Sequence, residues 1–154
     1  MALAELVTAE TVRVGLAGID KATVIRVLVD AIVASAGTAD RAADRKAILA
    51  AVLDREAKGS TGLENGIAIP HARTAGVADV ICAIGTSREG IDFDSADGKP
   101  CHLIFLIVAP PEASTPYLKA LSSVALVGRD AGLVTRLKSA GSPGEVLDLL
   151  AEVS

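Results

Sequence analysis

Tryptophan is absent from this chain, and tyrosine and phenylalanine together supply only three residues, so its core must be assembled from Ala, Val, Leu and Ile. Runs of Lys or Arg are also missing, and the net charge is −4, which removes the electrostatic footprint expected of a nucleic-acid binder. The longest strongly apolar run, Leu103 to Ala109, is far shorter than the roughly 20 residues a membrane-spanning helix needs. The first residues, Met1 to Val7, carry no basic segment leading into an apolar stretch, so no secretory signal and no membrane insertion are expected. Cysteine is limited to Cys82 and Cys101, both inside apolar strand-like runs. They read as buried thiols of a cytoplasmic protein rather than as a disulfide framework. At 154 residues a single domain spanning 1–154 is the default.

What is present is a succession of short elements. Thr11–Val14 alternates weakly, as an edge strand would. Asp20 is an N-cap for a helix with Val24, Val27, Leu28, Ala31 and Ile32 on its apolar face, ending at Gly37. Asp40 caps a second helix striped by Ala43, Ala47, Ile48, Ala51 and Val52, ending at Gly59. Strands follow at Ile67–Ile69 and near Val80–Gly85. A turn-rich stretch then runs from Ser87 to Pro100, with Asp97-Gly98 as its strongest turn signal. Cys101–Ala109 is nearly all apolar, the pattern of a strand covered on both faces.

Beyond Pro110-Pro111, Ser114-Thr115-Pro116 starts a helix with proline at its first position, continued by Leu118, Leu121, Val124, Ala125 and Val127. A short helix is expected over Ala131–Ala140. Ser142-Pro143-Gly144-Glu145 is a capping box for a last helix faced by Val146, Leu147, Leu149, Leu150 and Val153. Helices before and after the strands predict an α/β/α three-layer sandwich, of the α+β class, with a mixed β-sheet flanked by helices on both faces.

The chemistry concentrates between Arg55 and Arg73. His71 follows Ile67-Ala68-Ile69-Pro70, a strand stopped by its proline. A neutral imidazole is the side chain poised to act as a nucleophile near pH 7, provided its other nitrogen is held by an acceptor. A phosphoryl group arriving there needs donors and positive charge around its oxygens. Gly59-Ser60-Thr61-Gly62 supplies two hydroxyls and accessible backbone N–H groups, Arg55 a guanidinium, and Arg73 a second one on the same side of an extended chain. The loop is not a P-loop, since no Lys-Ser/Thr follows its second glycine, so direct nucleotide binding is not indicated. Zinc binding by Cys82, Cys101, His71 and His102 is set aside: adjacent Cys101 and His102 point to opposite faces of a strand, and no short-spaced ligand pair exists. His102 reads as structural.

Arg55-Glu56-x-x-Gly59-Ser60-Thr61-Gly62, followed by Asn65-Gly66-Ile67-Ala68-Ile69-Pro70-His71, resembles the signature of enzyme IIA of the bacterial phosphotransferase system, fructose/mannitol/nitrogen-regulatory type. The order of elements agrees over nearly the whole chain. The resemblance implies that His71 accepts phosphate from the histidine-containing phosphocarrier protein, with Arg55 and Ser60 lining the site and no metal or cofactor required. It implies a phosphotransferase component that passes the group to a IIB component in sugar uptake. The alternative is a nitrogen-regulatory protein whose phosphorylation state controls binding to a transporter or kinase, the branch expected of a lone domain. A third reading is a fold relative that no longer accepts phosphate. Two departures stand out. Tyr117, before Leu118, occupies the place where such proteins usually carry a second His, and Glu64 replaces a usual glycine. Glu64 is expected to point away from the site, because an unpaired carboxylate beside phosphate is costly. Leu63 is a candidate apolar rim for docking.

Overall fold

The computed structural model describes residues 3–17, 20–36 and 40–152. Five strands, β1 (Val12–Arg13), β2 (Ile67–Ala68), β3 (His71–Arg73), β4 (Ile81–Ile91) and β5 (Cys101–Ala109), form one mixed sheet in the order β1-β4-β5-β2, with β3 also on β5. The β4–β5 pair is antiparallel and the others are parallel. Helices α1 (Lys21–Ala36) and α2 (Arg41–Ala57) cover one face. Helices α3 (Ser114–Gly128), α4 (Ala131–Lys138) and α5 (Pro143–Ala151) cover the other, with the 3-10 turn Leu3–Leu6. The result is the α/β/α sandwich with a mixed sheet expected from the sequence.

Strand β5 explains why two cores exist. Leu103, Phe105, Ile107 and Ala109 enter the α3–α5 layer, while Ile104, Leu106 and Val108 enter the α1–α2 layer. All seven are fully buried, so the apolar run is continuous because both faces need it.

Several local expectations are corrected. Strand β4 extends to Ile91, through the first part of the stretch read as turns, with an irregular register between Thr86 and Ile91. In α2 the buried line is Asp44, Ile48, Val52 and Glu56, while Ala43 and Ala47 are exposed: small residues gave a false stripe, and two carboxylates lie under the helix. In α3 the N-cap is Ala113 and Pro116 lies in the third helical position, where its missing N–H is still one the helix does not use. Its buried face is Tyr117, Ala120, Val124 and Val127, leaving Leu118 and Ala125 exposed.

Asp20 and Asp40 accept from the N–H groups of Thr23 (2.8 Å) and Ala43 (3.1 Å), as N-caps do. Ser142 caps α5 through Glu145 N–H at 3.2 Å, but the Glu145 carboxylate reaches the N–H of Gly141. Gly37 and Val153, read as a helix end and a helix-face residue, lie outside the described residues.

Candidate functional site

The segment carrying His71 runs along the free side of β5. Ile67 and Ala68 pair with Leu103 and Ile104, and His71, Ala72 and Arg73 pair with Ile107, Val108 and Ala109 in the same unbroken register. Pro70 has no N–H to give, so the ladder is interrupted there, yet its carbonyl accepts from Ile107 N–H at 3.0 Å and holds the alignment. His71 therefore opens a strand rather than following one, which corrects the expectation. Alternation puts Ala72 into the α1–α2 core and turns His71 and Arg73 the other way.

Because β3 is at the sheet edge, residues from both helical layers reach over it. His71, Ala72 and Arg73 line a cavity of about 570 Å³ with Ala51, Asp54, Arg55 and Lys58 at the end of α2, Pro111, and Tyr117 on α3. The His71 ring is half-buried, and its Nδ1 is 2.7 Å from the Ile69 carbonyl oxygen. A carbonyl can only accept, so Nδ1 carries the proton and donates it; in the neutral ring the lone pair is then on Nε2.

Arg73 donates to Ser114 Oγ at 3.0 Å and lies 5.7 Å from the centre of the Tyr117 ring, which sits 6.0 Å from the His71 ring. Burial pushes the Tyr117 hydroxyl up from its ordinary value, outweighing the opposing pull of Arg73 and Arg55. At neutral pH it is an uncharged donor and adds no cation to the site.

The glycine loop is bound differently from the sequence reading. Arg55 donates to the Gly59 carbonyl at 2.9 Å, so it reaches the cavity while bracing the loop. The Ser60 hydroxyl donates to the Phe93 carbonyl and accepts from Gly62 N–H. Gly59 and Ser60 line a different hollow, with Asp20, Lys21, Asp92 and Asp94. Thr61 is buried, and both its N–H (2.9 Å) and its hydroxyl (2.5 Å) donate to the Glu56 carboxylate. Gly62 is packed so closely that a Cβ would fall 2.4 Å from Ser95 Oγ. The cavity thus brings together His71, Arg55, Arg73 and Tyr117, and leaves Gly59, Ser60, Thr61 and Gly62 behind it as the loop that fixes Arg55.

Residues missed by sequence reasoning are Lys58 and Asp54 in the cavity and Glu56 behind it. The buried Glu56 also meets Lys21 Nζ at 2.7 Å, tying the loop to the start of α1. The usable signal was spacing: Asp44, Ile48, Val52 and Glu56 recur every four residues, one helix face that includes two acids.

Glu64 is exposed and does not line the His71 cavity, in keeping with the expectation. Leu63 shares a surface groove with Glu64, Asn65, Ala125 and Arg129, so it is not a rim of the His71 cavity. Cys82 packs into the α3–α5 core and Cys101 into the α1–α2 core; both are free thiols raised by burial, and they cannot converge on one ion. His102 Nδ1 donates to the Ser87 carbonyl at 2.9 Å, a structural bond. Among the described residues no helix is long and apolar enough to cross a membrane.

Comparison with known proteins shows the family and the fold. The chain is 36% identical over 150 residues to the fructose-specific EIIABC component of Bacillus subtilis, covering 97% of this chain and 23% of that one. It therefore spans about a quarter of that relative's length. It is 41% identical over 115 residues to the fructose-specific EIIA component of Haloferax volcanii, covering 75% of each chain. Among solved structures it resembles the nitrogen regulatory protein IIA-Ntr of Neisseria meningitidis, with a TM-score of 0.84, 29% identity, and coverage of 96% and 98% of the two chains. A family model described as phosphoenolpyruvate-dependent sugar phosphotransferase system, EIIA 2, matches residues 5–153, and the chain belongs to that family.

Proposed function

We propose that this protein is a cytoplasmic phosphocarrier in which His71 accepts a phosphoryl group from the histidine-containing phosphocarrier protein and passes it to a IIB component. The observation that carries this reading is the bond from His71 Nδ1–H to the Ile69 carbonyl, which in the neutral ring leaves the lone pair on Nε2, in a cavity also lined by Arg55, Lys58 and Arg73. Nε2 attacks phosphorus, the P–N bond of the donor's phosphohistidine breaks, and its electron pair returns to the donor imidazole. Nδ1 keeps its proton throughout, so the ring charge that develops on attack is spread towards the Ile69 carbonyl. The cations lining the cavity offset charge on the phosphoryl oxygens, and Tyr117 offers a neutral O–H. Onward transfer repeats the step in reverse, with the acceptor's nucleophile attacking phosphorus.

A regulatory role is favoured by one observation: the fold likeness to a nitrogen regulatory protein extends over nearly both chains. In that role, adding about −1.5 to −2 charges at His71 switches contacts with a transporter or kinase. Incubation with phosphorylated carrier protein followed by phosphorus NMR tests the shared premise. An acid-labile phosphohistidine signal in the parent protein and none in His71→Ala is expected. No signal in the parent with a competent donor overturns it. Transfer onward to a IIB component, against state-dependent target binding without transfer, then separates the two roles.

A further inference from the structure

Resting on that reading of His71, we infer that Lys58 is a third cationic contact for the phosphoryl group, and that Asp54 holds it in reserve while the imidazole is bare. Lys58 is the C-cap of α2, one turn beyond Arg55, and both face the cavity that contains His71. The other two cations are anchored: Arg55 to the Gly59 carbonyl, and Arg73 to Ser114 Oγ and the Tyr117 ring. Among the described residues the ion-pair partner of Lys58 is Asp54, at 3.5 Å, and the two side chains are 71% and 74% exposed. A long, exposed pair of this kind contributes little to stability and exchanges easily. The four-carbon stem gives the ammonium reach that a braced guanidinium lacks.

Charge decides what this pair is for. Among the described residues three cations and one carboxylate line the cavity, an excess of two positive charges. That balances the roughly −1.5 to −2 charges of a phosphoryl group near neutral pH. Without Lys58 the excess halves. The two residues therefore act with opposite sign on the same equilibrium. Lys58 leaves Asp54 for the phosphoryl oxygens and favours the phosphorylated state, and Asp54 opposes it by competing for Lys58 and by repelling the group.

The test is the equilibrium partition of phosphate between the carrier protein and His71, read by phosphorus NMR on the full chain. An equilibrium ratio of free species is independent of docking affinity, so surface effects on encounter cancel. Lys58→Gln lowers the ratio of phosphorylated to free His71 by about three- to tenfold, as one exposed charge facing a doubly charged group would. Lys58→Arg restores it, and Asp54→Asn raises it. Both shifts shrink near ~1 M salt, where the screening length is about 3 Å. An unchanged ratio in Lys58→Gln, or a fall in Asp54→Asn, overturns the inference while leaving the parent signal intact. Absence of any signal in the parent overturns the proposed function, and this inference with it.

Discussion

Removing the Glu56 carboxylate is expected to damage the fold and the site together. Its side chain is only 5% exposed, and it accepts from the N–H and hydroxyl of Thr61 while pairing with Lys21 Nζ at 2.7 Å. Glu56→Ala leaves two buried donors on Thr61 without a partner, at about 1–3 kcal/mol each. The Lys21 share is smaller. Its side chain is 22% exposed, so water can rehydrate the ammonium, which also lies 3.5 Å from the Phe93 carbonyl and 5.3 Å from the Phe93 ring centre. The total is roughly 2–6 kcal/mol, which brackets the roughly 3–5 kcal/mol for breaking a buried pair from one side. Urea unfolding followed by far-ultraviolet circular dichroism measures it as a lower midpoint at unchanged slope. Glu56→Gln keeps the volume and one acceptor, so it loses about half as much. A loss below about 0.5 kcal/mol in Glu56→Ala, the scale of an ordinary surface substitution, would refute the reasoning. The loop joined to Glu56 also braces Arg55 through Gly59, so phosphoryl transfer to His71 falls with stability even where the variant remains folded.

Two other perturbations follow from the same geometry. Tyr117 is the only tyrosine and no tryptophan is present, so the ultraviolet tyrosinate signal reports it alone. Its midpoint in the folded protein is expected above the ordinary value near 10, because burial favours the neutral hydroxyl. The unfolded chain releases that proton first, so stability is retained below about pH 10 and lost as pH rises through the folded midpoint; a folded midpoint at or below 10 contradicts the burial argument. Gly62→Ala places a Cβ 2.4 Å from Ser95 Oγ and 3.1 Å from Ser95 Cα, and so costs about 1–3 kcal/mol in a thermal or urea melt. A neutral result would mean the loop and the Ser95 segment separate freely.

The layers and the candidate histidine were legible in the sequence for different reasons. The unbroken apolar run of β5 and the capped helices state the sandwich directly, since burial on two faces leaves no room for polar residues. His71 stood out because its proline and glycine neighbours fix the backbone around it. The roles of Ser60 and Thr61 did not, because a hydroxyl that lines a cavity and one that bonds behind it occupy identical sequence positions. Only the fold shows that Ser60 turns to Phe93 and Thr61 to Glu56. Lys58 was hidden for the opposite reason: an exposed lysine at a helix end is ordinary until β3 is seen running beneath it. Alanine also misled, because its small side chain is accepted on either face of α2 and α3.

The most direct test of the account is the nitrogen-15 spectrum of the His71 ring before and after phosphorylation by the carrier protein. Before transfer, Nδ1 should carry the proton, protected by the Ile69 carbonyl, and Nε2 should show a free lone pair. Afterwards the phosphorus coupling should appear at Nε2 with the Nδ1 proton still in place. Coupling at Nδ1, or a resting ring protonated at Nε2, would contradict the arrangement on which the proposed chemistry depends.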